Sequence, residues 1–353
     1  MTKDLKENKV AFIICYNNDL ILNECKWYLE RINIPEGVEY EIIPVHNPPS
    51  MCAGYNAAMS SSDAKYKVYL HQDVFILNTD FIWDMMVCFE QNQNFGMLGV
   101  IGGTHIPENG SAWDSWNVGI TDAVNWNNHI SIRLAQSEDG SPIKVEAIDG
   151  MLMVTNTDVD WRADVFDGYD FYDISQCMEF RNKGLDIGVV YQKSPWCLHD
   201  CGKSKLIQYD HYRELFCRTY GFNFDCYYTV NEETSRVYAV AEKILDAFDK
   251  TMSAGLYDKA YELLGKSAGM HDVDNRLEKL LVIHEMCELG QGMNSFIRFG
   301  QTAAEMIATL DELKFKMWRV ILGDEDAQTY IGEKIESGFI NQWMLQSVSK
   351  HYV

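Results

Sequence analysis

The chain has 353 residues, 47% apolar and 23% charged, the proportions of a globular protein rather than a disordered one. That length suits about two domains, each large enough to bury a core. Its 30 basic and 52 acidic residues leave a formal charge of -22, which sets the surface against nucleic acid and anionic lipid. The same charge repels a nucleotide diphosphate unless a cation or a cluster of donors offsets it.

The opening MTKDLKENKV is polar and runs into one short apolar strand, so it reads as neither export signal nor anchor. No stretch reaches the roughly 18 to 20 apolar residues of a membrane-spanning helix. A cytoplasmic location is the expectation. Ten cysteines are scattered without a CxxC pair, which in such a chain predicts buried free thiols. Cys197 and Cys201 bracket His199 in a loosely zinc-like way, but no second ligand pair accompanies them.

In chain order, KVAFIIC at 9–15 is a continuous apolar run, the mark of a strand buried on both faces. A polar turn at 16–19 follows, and then Leu22, Cys25, Leu29 and Ile32 recur at helical spacing. YEIIPV at 40–45 predicts a second strand, and Ser50 can cap a helix through Met59. YKVYL at 66–70 predicts a third strand, with the apolar run resuming at 74–77. Alternation of this kind indicates a parallel, doubly wound sheet, whose ligands bind at the carboxyl ends of the strands. The polar clusters at 16–19, 46–50 and 71–73 all lie at those ends.

A helix is expected from Asp80 to Gln91, then a Gly- and Trp-rich stretch from Gly96 to Gln136 carrying Trp113, Trp116 and Trp126. Residues 143–154 read as one strand broken at Asp149-Gly150; 173–184 read as a helix ending on glycine; Val189 to Tyr191 read as a further strand. From about Glu232 strand alternation stops and helical patterns take over, among them Val237, Ala241, Ile244 and Phe248. The segment at 254–269 has the look of one helix of a tetratricopeptide-like pair, but stands alone. The expected division is a nucleotide-binding domain over 1–231 and a helical domain over 232–353.

The strongest chemical signal is YLHQDVFIL at 69–77, an acidic residue at the end of a buried strand. Five other pieces accompany it: Cys15-Tyr16-Asn17, Gly54-Tyr55-Asn56-Ala57-Ala58, Ile148-Asp149-Gly150, Tyr172-Asp173 and His199-Asp200-Cys201-Gly202. In this order, across residues 9 to about 202, the sequence resembles the GT-A glycosyltransferases, close to the family-2-like enzymes and their streptomycin-biosynthesis-type relatives. The resemblance implies a mostly parallel GT-A sheet followed by an all-α domain. It further implies inverting transfer of a sugar from a nucleotide-diphosphate donor, UDP-type by expectation, to a hydroxyl of a glycan or other acceptor. It assigns Tyr16, Asn17, His46, Asn56, His71, Gln72, Asp73, Asp149 and Gly150 to the nucleotide sugar.

Such a transfer leaves negative charge on the diphosphate, and a divalent cation held by carboxylate and imidazole neutralises it. Asp73 and His199 are the expected ligands of Mn²⁺ or Mg²⁺, and Asp173 the expected base for the acceptor hydroxyl. Each has a plainer reading: Asp73 as a turn former, His199 as a structural histidine, Asp173 as a helix cap. The Trp residues equally suit stacking on an acceptor sugar or packing beneath a loop. His71 stands where the Asp-x-Asp pattern has its first acid, Ser175 where a second acid is usual, and His46-Asn47 where an Asp reads the base.

A nucleotidyltransferase is a weaker reading, because the turn at 16–19 carries neither glycine nor lysine to grip a triphosphate. A catalytically degenerate binding module stays open, with His71 and Ser175 as its marks. A dinucleotide-binding dehydrogenase is not supported, since no GxGxxG follows the first strand. The helical residues leave homodimerisation, acceptor binding and partner docking equally open.

Overall fold

The computed structural model describes residues 4–125, 128–202, 204–224 and 232–352. Two compact units divide the chain: Met1–Ala123, Ser131–Asp200 and Leu206–Thr229 in the first, and Val124–Ile130, Cys201–Lys205 and Val230–Val353 in the second.

The first unit opens with β1 (Lys6–Tyr16), α1 (Asp19–Leu29), β2 (Glu39–His46), α2 (Met51–Ser61) and β3 (Ala64–His71). The caps follow the local chemistry. Asn18 accepts from the amides of Leu20 and Ile21 to start α1, and Ser50 accepts from Ala53 at 3.1 Å to start α2. Next come β4 (Val74–Ile76), α3 (Phe81–Gln91), β5 (Phe95–Gly99) and β6 (Ile101–Gly103). After these lie β7 (Val118–Asn125), β8 (Asn128–Arg133), β9 (Ile143–Val145), β10 (Ala147–Ile148) and β11 (Leu152–Thr155). The unit finishes with α4 (Tyr172–Asn182), β12 (Asp186–Val189), β13 (Cys197–His199) and α5 (Tyr209–Tyr220).

A seven-stranded sheet in the order β2-β1-β3-β11-β5-β12-β9 forms the floor, and β10-β6-β7-β13-β4 form a second sheet with β8 pairing to β7. In the large sheet β1 runs parallel to β2 and β3, and β12 parallel to β5, while β11 enters antiparallel between β3 and β5. The sheet is therefore mixed, α/β in class, with three parallel and three antiparallel pairings. Val10 to Ile14 are completely buried, which explains the unbroken apolar run of β1.

The apolar run resuming at Val74 is β4, which the turn at Gln72-Asp73 passes into the second sheet. One local expectation changes. Residues 143–154 form three strands rather than one: β9 on the edge of the large sheet, β10 in the small one and β11 at the centre of the large one. The Gly- and Trp-rich stretch holds β5 to β8, whose short segments lack a readable period. In it Trp113 is exposed and packs on Tyr209 at 5.0 Å between ring centres, Trp116 is half-buried, and Trp126 lies outside the described residues.

The second unit carries α6 (Glu232–Ser253), α7 (Tyr257–Lys266), α8 (Asn275–Glu288), α9 (Met293–Phe299), α10 (Ala303–Ile321), α11 (Glu325–Glu336) and α12 (Gln342–Tyr352). Leu277, Leu280, Val282 and Ile283 are fully buried, so α8 is covered on more than one side. In α6 the inward face is Ala241, Leu245, Phe248 and Met252, while Val237 is exposed. Thr302 and Glu305 start α10 with a reciprocal capping box. Buried Asp311 is met by Lys279 at 2.7 Å and Lys314 at 3.4 Å, and this pairing holds its carboxyl below the usual range despite burial. The described cysteines are free, and Cys226 lies outside the described residues. Among the described residues no helix is long and apolar enough to cross a membrane.

Asn56 ties α2 to the loop after β11. Its amide donates to the Trp161 carbonyl at 2.8 Å and accepts from the Trp161 N–H at 2.9 Å. Asn56→Ala leaves both backbone groups unpaired, and the expected cost is about 1–3 kcal/mol, read as a lowered urea midpoint.

Candidate active site

The site forms where the carboxyl ends of β1, β2 and β3 share one edge. Strand register places Tyr16 beside His46 and Cys15 beside His71. Gln72 then locks the turn after β1. Its side-chain oxygen accepts from the N–H groups of Asn17 and Asn18, both at 3.1 Å, and its amide donates to Asn17 at 2.9 Å. The ring of Tyr16 packs on that of His46 at 5.0 Å. Asn47 sits in the left-handed region, with φ 44, and its amide lies 3.1 Å from His46 Nε2.

Two further strands complete the cluster. Antiparallel pairing of β13 with β4 sets His199 opposite Val74, and the Asp200 N–H donates to the Asp73 carbonyl at 2.8 Å. His199 Nε2 consequently stands 3.5 Å from Asp73 Oδ1, and His71 Nδ1 stands 4.0 Å from the same oxygen. Donor atoms of His71, Asp73 and His199 all lie within 4.8 Å of one another, a cluster able to hold a metal ion. Neither Cys197 nor Cys201 belongs to it, and burial pushes the Cys197 thiol up to about 12.

Electrostatics bind the cluster together. Burial alone would raise the Asp73 carboxyl, but the hydrogen bond and charge of His199 outweigh it and hold the group below its usual range. His199 is raised in turn, because the Asp73 carboxylate overcomes the burial that disfavours its cation. His71 is lowered by burial, reinforced by the neighbouring His199.

On the other side, β11 pairs with β3 so that Leu152 faces Leu70, and the His71 N–H donates to the Met151 carbonyl at 3.2 Å. This draws the Asp149-Gly150 turn against the site. The Gly150 N–H donates to Asp173 Oδ2 at 2.9 Å and the Ile174 N–H to Oδ1 at 2.9 Å, which fixes Asp173 in the first turn of α4. Burial, with the charge of Asp149 behind it, raises the Asp173 carboxyl to about 7. Ser175, where a second acid was sought, is buried and returns its hydroxyl to the Tyr172 carbonyl at 2.8 Å.

A cleft of about 220 Å³ opens beside the cluster, lined by Tyr16, Asn17, His71, Gln72 and Asp73 from the strand ends. Asn47, Pro48, Tyr169 and Tyr172 close its other side, with Tyr169 donating to the Pro48 carbonyl at 2.6 Å. Among the described residues its lining contains no lysine or arginine. Of the residues singled out in the sequence, Tyr16, Asn17, His71, Gln72 and Asp73 line this cleft; His199, Asp149, Gly150 and Asp173 do not, His199 meeting the lining through Asp73, and Asp173 following the lining residue Tyr172 with the Asp149-Gly150 turn held on its carboxylate. His46 is exposed at the rim through Tyr16. Asn56 is not among the lining residues, its amide being spent on the Trp161 backbone. Tyr169 and Tyr172 were missed as site residues. Tyr172 stands next to Asp173 in sequence, a proximity that could have flagged it; Tyr169 carries no such signal.

Residues 11–220 match the model of the glycosyltransferase-like family, and the chain belongs to that family. No curated protein matches the sequence. Among solved structures, S. aureus TarS 1-349 in complex with UDP is similar at TM-score 0.39 and 10% identity, over 85% of this chain and 90% of that one. GalNAc-T7 with UDP, GalNAc and Mn²⁺ is similar at TM-score 0.37 and 7% identity, over 56% of this chain and 44% of that one. At this level of likeness no residue role passes from them to this chain.

The raised Asp173 carboxyl carries a consequence for stability. Folded Asp173 holds its proton up to about pH 7, whereas an unfolded carboxyl near 3.9 loses it earlier. Its contribution is therefore full below about pH 4 and lost as the pH rises through 7, with an upper bound of roughly 4 kcal/mol for a carboxyl moved from about 4 to about 7. Wild type is expected to lose urea resistance between pH 5 and pH 8 more steeply than Asp173→Asn, which keeps an acceptor for Gly150 but cannot ionise.

Proposed function

We propose that the chain transfers a sugar from a nucleotide-diphosphate donor of the UDP type to a hydroxyl of a glycan or similar acceptor, with inversion at the anomeric carbon and with help from a divalent cation. One observation carries the reading: a cleft with no lysine or arginine among its described lining residues holds His71 and Asp73, whose donor atoms lie within 4.8 Å of one another and of His199, while Asp173, next to the lining residue Tyr172, is raised to about 7. A diphosphate in a protein of charge -22 needs a countercharge, and the described lining residues supply no fixed cation.

The donor set suits a divalent cation, two imidazoles and a carboxylate being within reach of one another. When bound, such a cation neutralises the charge that develops on the departing diphosphate. Asp73 and His199 hold it on the protein side. Tyr16 and His46 provide aromatic faces for the nucleobase, and Asn17 and Gln72 shape the turn on which the ribose and diphosphate rest. Asp149 and Gly150 border the sugar. The acceptor oxygen forms its bond to the anomeric carbon from the face opposite the diphosphate, whose own bond to that carbon breaks. Asp173 accepts the acceptor's proton, a task for which a carboxyl near 7 is well matched. We take the catalytic domain as residues 1–231 and the helical domain as 232–353.

Thermal unfolding with UDP, GDP and dTDP, each with and without Mn²⁺, tests the binding half. A nucleotide at about 100 times its dissociation constant adds roughly 2.7 kcal/mol. Stabilisation by one nucleotide, dependent on cation and lost in Asp73→Ala, is the expected result; none by any of the three at millimolar concentration returns the chain to the reading of a degenerate binding module. For the chemical half, Asp173→Asn is expected to slow release of nucleotide from the donor sugar by about 100- to 10,000-fold while keeping nucleotide stabilisation.

A further inference from the structure

The replacement of an acid by His71 looks in sequence like the loss of a ligand, yet the fold turns that side chain toward the cation cluster. Both imidazoles converge on one oxygen, His199 Nε2 at 3.5 Å and His71 Nδ1 at 4.0 Å from Asp73 Oδ1. Ligands about 2.0–2.1 Å from a tetrahedral cation stand roughly 3.4 Å apart, so donors already within 4.8 Å need only small side-chain adjustments.

The other nitrogen of His71 is also spoken for. Its Nε2 meets the Tyr172 hydroxyl in a hydrogen bond. A ring nitrogen that donates outward leaves the opposite one bare, the usual way a protein orients a histidine ligand and fixes its tautomer. Tyr172 is itself held: its ring packs against Tyr55 at 5.9 Å and Trp161 at 6.2 Å, beneath the cleft. Gly150 makes the passage for its hydroxyl, because a Cβ there would overlap the Tyr172 oxygen. Ligand, outer hydroxyl and the space for that hydroxyl thus come from three separated segments of the chain.

We propose that His71 is a third cation ligand, bound through Nδ1 and oriented by Tyr172, and that the resulting two-imidazole, one-carboxylate site selects borderline transition cations over Mg²⁺ and Ca²⁺ before any nucleotide arrives. The inference deepens the cation-assisted transfer proposed above, but it is read on the cation alone. Oxygen-only sites suit hard cations, and Mg²⁺ dehydrates reluctantly for nitrogen donors. Imidazole ligands instead favour Zn²⁺, Co²⁺ and, more weakly, Mn²⁺, in the order of intrinsic affinity for such sets. Three protein ligands leave the remaining coordination positions open for diphosphate oxygens.

The test is a titration of the full chain, stripped with chelator and free of nucleotide, with Zn²⁺, Co²⁺, Mn²⁺ and Mg²⁺ by calorimetry, and with Co²⁺ by visible absorption. Expected are affinities in the order Zn²⁺, Co²⁺, Mn²⁺, with Co²⁺ at least about tenfold tighter than Mg²⁺. His71→Ala and the less disruptive His71→Asn are both expected to weaken Co²⁺ by about tenfold or more and to change its visible band. Tyr172→Phe, which removes no ligand, is expected to weaken Co²⁺ by about 10- to 100-fold. Circular dichroism and urea midpoints of each variant separate ligand loss from unfolding. Mg²⁺ binding as tightly as Co²⁺, or an unchanged Co²⁺ affinity in folded His71→Asn, overturns the proposal. If Co²⁺ behaves as expected and no nucleotide stabilises the protein, the transfer reading fails and the cation site stands. Nucleotide stabilisation with Mg²⁺ but not with Co²⁺ supports the transfer reading and overturns the three-ligand site.

Discussion

The short antiparallel pairing of β13 with β4 is the constraint on which the rest of the site depends. It joins two distant segments of the chain, setting His199 against the first residue after Asp73, with the Asp200 N–H on the Asp73 carbonyl. Three residues of pairing are weak by themselves. They are held by the mixed sheet beside them and by the buried Phe75 and Cys197 on the paired strands. Without this pairing Asp73 would be a turn acid at the end of β3 and His199 a histidine in a loop. With it, each shifts the other's proton affinity in the direction of its charged form.

The same edge places groups with opposing electrostatic tasks close together. Asp73 is kept ionised by its imidazole neighbours, while Asp173, buried and facing the charge of Asp149, is pushed up to about 7. Two carboxylates driven apart in this way are what a cation-assisted transfer requires, one to bind and one to accept a proton. The aromatic floor of Tyr55, Tyr69, Trp161 and Tyr172 supports both sides, since its rings lie 4.7 to 6.2 Å apart beneath the cleft. It ties the orientation of His71 to the packing of the core.

The excess of acid sets the terms for the proposed donor. A lysine or arginine could neutralise a diphosphate directly, but none is among the described residues that line the cleft. In the proposed transfer a bound cation supplies the countercharge, in a protein whose overall field opposes the ligand. Gln72 contributes in another way, closing the turn after β1 with three hydrogen bonds, so that the strand ends keep their spacing whether or not anything is bound.

Much of the framework was legible in the residues themselves. The buried run of β1, the caps at Asn18 and Ser50, the acid closing β3 and the change to helical spacing near Glu232 are all local signals, set by burial and by backbone hydrogen bonding within a few residues. The likeness to GT-A glycosyltransferases rested on the order of six short pieces. What lay beyond local pattern was pairing at a distance. Three short strands in 143–155, the passage of β4 into a second sheet and the whole of α5 escaped notice, because short or partly exposed segments carry too little periodicity. Asn56 resembled a ligand-binding residue, but tertiary structure spends it on Trp161. His71 looked like a lost acid, and only the fold, by bringing His199 and Tyr172 to either side of it, decided that it faces Asp73 and a second imidazole. The sequence thus determined which residues could do chemistry; long-range strand register determined which of them meet, since no local interaction records the distance between β3 and β13.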